Sequence, residues 1–196
     1  MVRQPQADVS YRDRLTRSMI VEKNLVGMHL ETLLASAKLA QAYYGGSALI
    51  VRLPPYDYHR FHFPDAGIAH ASRNIPGQYH SVNPIALARV STVFSLNKHA
   101  VTTFVSQNFG TIAYVEVGAL TVGSIVQTYV PGRVDRGQEK GYFQYGGSTL
   151  VLLFEPEKIT FDDDLLQDSV EGIEVQVQAG TQIGHKESSN GLSASD

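Results

Sequence analysis

The spacing of apolar residues changes once along this 196-residue chain, and the change divides it. From Leu30 to Tyr44, the residues Leu30, Leu33, Leu34, Ala37, Leu39 and Ala40 recur at helical spacing, and Gly45-Gly46 then supplies the backbone freedom that ends a helix. Beyond it the apolar residues gather into short β-branched and aromatic runs parted by Gly, Pro and Asn. These runs are Ser47 to Leu53, Gly67 to Ile75, Val90 to Phe94, Ala100 to Val105, Thr111 to Val117, Gly123 to Val130 and Ser148 to Phe154. Val170 to Val177 alternates as a half-exposed strand does, and Val130 to Val134, around Pro131-Gly132, predicts a tight turn. The pattern predicts an α+β chain, predominantly β, with antiparallel sheets in a sandwich or barrel-like arrangement and one N-terminal helix.

Composition changes this picture little. Gly110 to Val130 is long enough to span a bilayer, but Glu116, the interrupting Gly118 and Gly123, and several Ser and Thr residues make it two buried strands instead. With 43% hydrophobic and 18% charged residues the chain reads as one globular domain, expected over 1–185, followed by a Ser-rich, disordered tail over 186–196. A net charge of -3 with no cluster of Lys and Arg argues against a nucleic-acid binder. The absence of cysteine removes disulfides, thiol nucleophiles and thiolate metal sites. Met1 to Arg17 carries four arginines and lacks the apolar stretch of a secretory signal.

Three clusters could carry chemistry. Asp57-Tyr58-His59-Arg60-Phe61-His62 sets two histidines beside an aspartate, and histidine is the side chain best matched to proton transfer near neutral pH. In an extended segment His59 and His62, an odd number of residues apart, point to opposite faces, which favours two separate roles over one shared metal. A His-x-x-His pair is half a zinc site, but no further His, Asp or Glu stands at a convincing spacing, so no metal is expected. Hydrogen bonding within the fold is the plain alternative for either ring. Tyr145-Gly146-Gly147-Ser148-Thr149 places a serine after two glycines, which suits an exposed nucleophile or a strained peptide bond, and equally an ordinary turn entering a strand. It is not the serine-hydrolase elbow, because Leu150 stands where the last glycine of that motif would be. Val117 to Ile125 interleaves small and apolar residues, as close strand packing or a ligand-facing turn would, without the spacing of a phosphate-binding loop.

Taken in order, these stretches resemble the phosphatidylserine decarboxylase family. Asp57 to His62 matches its Asp-Tyr-His-Arg-Phe-His, and Ser81 to Pro84 its Ser-Val-Asn-Pro. Val117 to Ile125 matches its Val-Gly-Ala-x-x-Val-Gly-Ser-Ile, and Gly141 to Thr149 its Gly-Tyr-Phe-x-x-Gly-Gly-Ser-Thr, with Gly180 and Gly184 closing the pattern. The resemblance runs from Leu30 to Gly184.

What the resemblance implies is an enzyme that makes its own prosthetic group. Ser148 would attack the carbonyl of Gly147, exchanging an amide for an ester, and elimination and hydrolysis would leave a pyruvoyl group at the head of a new chain spanning 148–196. That group would take up the amine of phosphatidylserine and accept electrons as carbon dioxide leaves, giving phosphatidylethanolamine with no separate cofactor. By the same resemblance His62 is the base of self-cleavage and His59 serves decarboxylation. Asp8, in Gln6-Ala7-Asp8-Val9, is the nearest counterpart of the upstream aspartate of the cleaving triad, and Tyr58, Ser81 and Asn83 bind substrate. Peripheral attachment to a membrane surface and a homodimer of processed units are implied as well. Members of the family carry further residues ahead of the point where this chain begins, so a truncated, minimal or degenerate form is expected. A pyruvoyl-dependent decarboxylase of a free amino acid and an unprocessed, non-catalytic homologue stand as alternatives.

Overall fold

The computed structural model describes residues 16–23, 25, 29–53, 58–78, 80, 93–118, 124–144 and 148–187. It begins with β1 (Thr16–Lys23), where Met19, Ile20 and Val21 are the apolar residues and Met19 and Val21 are buried. The single helix expected over Leu30 to Tyr44 is instead three short pieces: α1 (Leu30–Leu34), α2 (Ala37–Ala40) and a 3-10 turn over Gln41–Tyr43. The break has a local cause. Ala35 adopts the left-handed conformation at φ 45, and the Ser36 hydroxyl accepts a hydrogen bond from the Leu39 N–H at 3.2 Å, capping the next piece. Leu30, Leu33, Leu34, Ala40 and Tyr43 are still buried, so the helical spacing correctly marks an inward face while missing the interruption.

The strands follow as β2 (Ser47–Leu53), β3 (Arg60–His62), β4 (Gly67–Ala69) and β5 (Arg73–Ile75), then a one-turn helix α3 (Val93–Leu96) where the end of a strand was expected. Next come β6 (His99–Ser106), β7 (Thr111–Gly118), β8 (Ser124–Gln127), β9 (Gly132–Val134), β10 (Glu139–Gln144) and β11 (Ser148–Phe154). The chain closes with β12 (Ile159–Phe161), α4 (Asp163–Val170), β13 (Val175–Gln178) and β14 (Gly184–Lys186). The run Gly67 to Ile75 thus divides into two strands, and the alternation after Val170 begins as the end of a helix. Asp163 and Asp164 stand in the first turn of α4, where negative charge suits the exposed N–H groups. Lys186, expected to open the tail, is the last residue of β14, and the rest of that expected tail from 188 onward lies outside the described residues.

The described strands pair antiparallel. The main sheet has the order β13-β1-β2-β11-β7-β6-β4-β9 with β5 beside β6; β3-β10-β8 form a smaller sheet, and β12 pairs β14. The main sheet runs open from edge to edge, so the architecture is predominantly β, of sandwich type and without barrel closure. Each face of its middle strands carries a core. Leu49, Val51 and Leu53 of β2, Ile112 and Tyr114 of β7, and Leu150, Leu152 and Phe154 of β11 meet Phe61 and Phe143 of the small sheet. Ala48, Ile50, Ala113, Val115, Val117, Val151 and Leu153 face the other way, against Leu30, Leu33, Leu34 and Tyr43. Burial on both faces explains why β2, β7 and β11 read as mostly apolar runs, interrupted by Arg52 and Glu116, rather than alternating ones.

Candidate active site

Ser148 opens β11 at the centre of the main sheet. Its Cα neighbours are Leu53 of β2 and Gly118 of β7, and its side chain is fully buried. Alternation along the strand turns Ser148 to the same face as Leu150 and Leu152, toward the small sheet. His59 comes from that side. Its carbonyl accepts from the Phe143 N–H at 3.0 Å, and its Nδ1 lies 3.3 Å from Ser148 Oγ. This is at the long edge of hydrogen-bond range, as catalytic contacts without substrate often are. In the tautomer with Nδ1 unprotonated, the ring is an acceptor for the hydroxyl proton.

The second histidine of the motif faces elsewhere. Phe61 and Phe63 are buried on the inner side, toward which the half-buried His59 also turns, while Arg60 is exposed and His62 half-buried on the outer side. There the His62 ring stacks on Tyr58 with centroids 6.0 Å apart and planes 9° off parallel. Arg60 lies over the Tyr142 ring at 5.2 Å and pairs with Glu139 at 2.6 Å. That hydrogen bond from Arg60 holds the Glu139 carboxyl below the usual carboxylate range. Of the residues singled out from sequence, the structure therefore brings His59 and Ser148 together and sets Tyr58 and His62 on the opposite side of the small sheet. Asp8, Ser81, Asn83 and Gly147 lie outside the described residues.

Two polar constellations had no signal in the sequence. Asn97 is fully buried: its Nδ2 donates to the carbonyls of His80 and Gly118 at 2.8 and 2.9 Å, and its Oδ1 accepts from the His80 N–H at 2.8 Å. It thereby ties the residue preceding Ser81 to the strand end that pairs with Ser148. A lone asparagine among turn-forming residues gives no hint of such a role.

The other is a dry ion pair. Lys140 donates to Glu116 at 2.5 Å, both side chains are 0% exposed, and Gln127 accepts from Lys140 at 2.7 Å while donating to Glu116 at 3.3 Å. Four rings surround the ammonium, with centroids of Tyr129, Tyr114, Phe61 and Phe63 at 4.9, 5.0, 5.6 and 6.0 Å. Burial pushes the Glu116 carboxyl up and the Lys140 ammonium down, each opposed by its partner. Lys140 points inward because the register slips between Glu139 and Gly141, a bulge that shifts the alternation by one residue, so that Lys140 and Gly141 both turn to the inner face. Gly141 completes the bend, since a Cβ there would stand 2.1 Å from the Val126 carbonyl and 2.9 Å from the Phe61 ring. Glu116 pairs with Leu150, one cross-strand diagonal from Ser148, a spacing of roughly 7–8 Å. Among the described residues no three His, Asp or Glu side chains gather as metal ligands would.

A family model described as phosphatidylserine decarboxylase matches residues 8–185. A phosphatidylserine decarboxylase proenzyme of Chlamydia trachomatis serovar L2 is 52% identical over 161 residues, 82% of this chain and 54% of that protein. Proteins of the same name from Clostridium kluyveri and Ruminiclostridium cellulolyticum are 52% and 48% identical over 158 and 157 residues, 80% of this chain in each case and 53% and 52% of theirs. The chain spans about half the length of the curated relatives it matches.

Proposed function

The chain belongs to the phosphatidylserine decarboxylase family, and from that premise we propose that it cuts itself between Gly147 and Ser148 and uses a pyruvoyl group formed from Ser148 to decarboxylate phosphatidylserine. The observation that carries this reading is the 3.3 Å approach of His59 Nδ1 to the buried Ser148 Oγ at the start of a central strand. The local chemistry fits a small carbonyl group at that position: a histidine stands on one side, and on the other the buried Thr149 hydroxyl has no hydrogen-bond partner among the described residues.

In the cut, His59 takes the hydroxyl proton as Ser148 Oγ bonds to the Gly147 carbonyl carbon; the C–N bond breaks and the Ser148 nitrogen gains a proton, leaving an ester. Loss of the Ser148 α-proton then expels the Gly147 carboxylate, and hydrolysis releases the nitrogen as ammonia. The pyruvoyl group supplies an electron-accepting carbonyl for the amine of the substrate. His59, already turned to residue 148, then holds the proton that the substrate carbon receives after carbon dioxide departs. The resemblance gives the cleavage role to His62 instead, and the two assignments part experimentally below.

The substrate is a lipid met at a membrane surface; among the described residues no helix is long and apolar enough to cross a membrane. Processed units pair as homodimers. Intact mass under denaturing conditions tests the first step: the unsubstituted chain is expected as two pieces split before Ser148 and S148A as one. Phosphatidylethanolamine formed from phosphatidylserine vesicles, with free serine untouched, is the expected second result. Turnover of the free amino acid alone would transfer the assignment to that substrate, and an unsubstituted chain that stays whole would favour a non-catalytic homologue.

A further inference from the structure

Ser148 and Thr149 are neighbours that face opposite ways. The Thr149 side chain lies on the far face of the main sheet from Ser148, with Val117 and Arg52 as its cross-strand neighbours. It is fully buried, and its Oγ1 has no hydrogen-bond partner among the described residues. Arg52, on the same face, turns its guanidinium to Glu174 at 2.5 Å. A buried hydroxyl with no partner forfeits the water it left, and valine, of the same shape, would fill this place without that cost. Such an exception calls for a use in another state of the molecule.

We propose that Thr149 Oγ1 is the donor that orients and polarises the carbonyl at the head of the new chain. This rests on the conversion of Ser148 proposed above. In the uncut strand, residue 148 is fixed between β2 and β7 and by its bond to residue 147, and its side chain faces His59. Once that bond is gone residue 148 is a chain end with a trigonal α-carbon, free to turn about a single bond, and Thr149 is the next residue along. A hydrogen bond from Oγ1 to the ketone oxygen draws electron density from the carbon that an amine attacks. Thr149 makes and breaks no covalent bond and keeps its proton.

The test compares the unsubstituted chain with T149V and T149S, reading cleavage by intact mass and the carbonyl by its rate of reaction with hydroxylamine. All three are expected to be cut before residue 148. The T149V carbonyl should react about tenfold more slowly, and that of T149S within about twofold of the unsubstituted protein. In an uncut S148A background, T149V should leave the thermal midpoint unchanged or higher, because no bond is lost. Equal carbonyl reactivity in T149V overturns the proposal. So does a clear fall in the midpoint of S148A/T149V, since the hydroxyl would then already hold a structural bond. A T149V chain that stays whole while the unsubstituted chain is cut would move the hydroxyl to the cleavage step and overturn its assignment to the carbonyl. Should the unsubstituted chain itself stay whole, the conversion of Ser148 fails first and the donor role with it.

Discussion

Glu139 and Lys140 are consecutive residues of β10, and each meets an opposite charge at nearly the same distance: Glu139 with Arg60 at 2.6 Å, Lys140 with Glu116 at 2.5 Å. Their surroundings differ completely. The side chains of the first pair are 31% and 47% exposed, so water and salt screen them; both members of the second are at 0%, enclosed by aromatic rings. Separation therefore says little about what a pair does here, and the face of the small sheet says nearly everything. On the outer face a charge can lose its partner and fall back on solvent. On the inner face it cannot; His59 and His62, both half-buried, turn to these two different faces.

The sharpest way to break the comparison is to remove one charge from the inner pair. K140A leaves the Glu116 carboxylate buried and uncompensated, an expected loss of about 3–5 kcal/mol, a large share of the stability of an ordinary domain. Chemical denaturation of the uncut S148A background measures it. Replacing both members, as E116Q/K140M, should recover most of that loss, because two desolvated charges go together. A double variant as unstable as K140A would mean that the pair itself, rather than the orphaned charge, sustains the fold.

The histidines test the faces by chemistry. H59A is expected to slow cleavage by about 10²–10⁴-fold, the usual worth of a proton-transfer group, while H62A slows it less. A time course of intact mass decides. If H62A remains whole and H59A is cut, His62 is the cleavage base, as the family resemblance has it, and the His59 approach to Ser148 serves the later step.

Acid should reveal the outer pair. Because Arg60 holds Glu139 below its ordinary value, the stabilisation is complete above about pH 4.3 and is lost as pH falls through the lower, folded value. E139Q in the S148A background should flatten the acid limb of the curve of thermal midpoint against pH and leave the neutral region alone. The smallest effect expected is that of R60A near neutral pH: a slight change in thermal midpoint that fades in high salt. A salt-insensitive fall would place the outer pair in the same class as the inner one.

Much of this architecture was legible in the sequence where burial and residue type agree. Ser47 to Leu53 and Ser148 to Phe154 were bounded correctly from their aliphatic runs, because two covering layers make every position apolar except where chemistry intervenes. Legibility ends where burial and residue type part. β10 reads Glu-Lys-Gly-Tyr-Phe-Gln and carries no strand signal of its own, since nothing local says that Lys140 will be met by Glu116, 24 residues earlier in the chain. In the sequence Glu116 stands only as an obstacle to membrane insertion, with no sign that it is half of a buried pair. The helix over Leu30 to Tyr44 failed differently: periodicity fixes which side faces inward but is blind to a serine that caps a new turn in mid-run. At the site, motif order singled out Ser148 and the two histidines, whereas choosing which ring reaches the hydroxyl required the pairing of β3 with β10.

A break before Ser148 would set nothing loose. β11 lies between β2 and β7, and β13, from the same piece, flanks β1. The strands of the two polypeptides would therefore interleave, like fingers of two hands laid across one another. Withdrawing the shorter piece would mean tearing out a middle strand whose every residue from Ser148 to Phe154 is buried. Such a product would be two molecules by mass and one cooperative body by melting, with the pieces parting no faster than the whole unfolds.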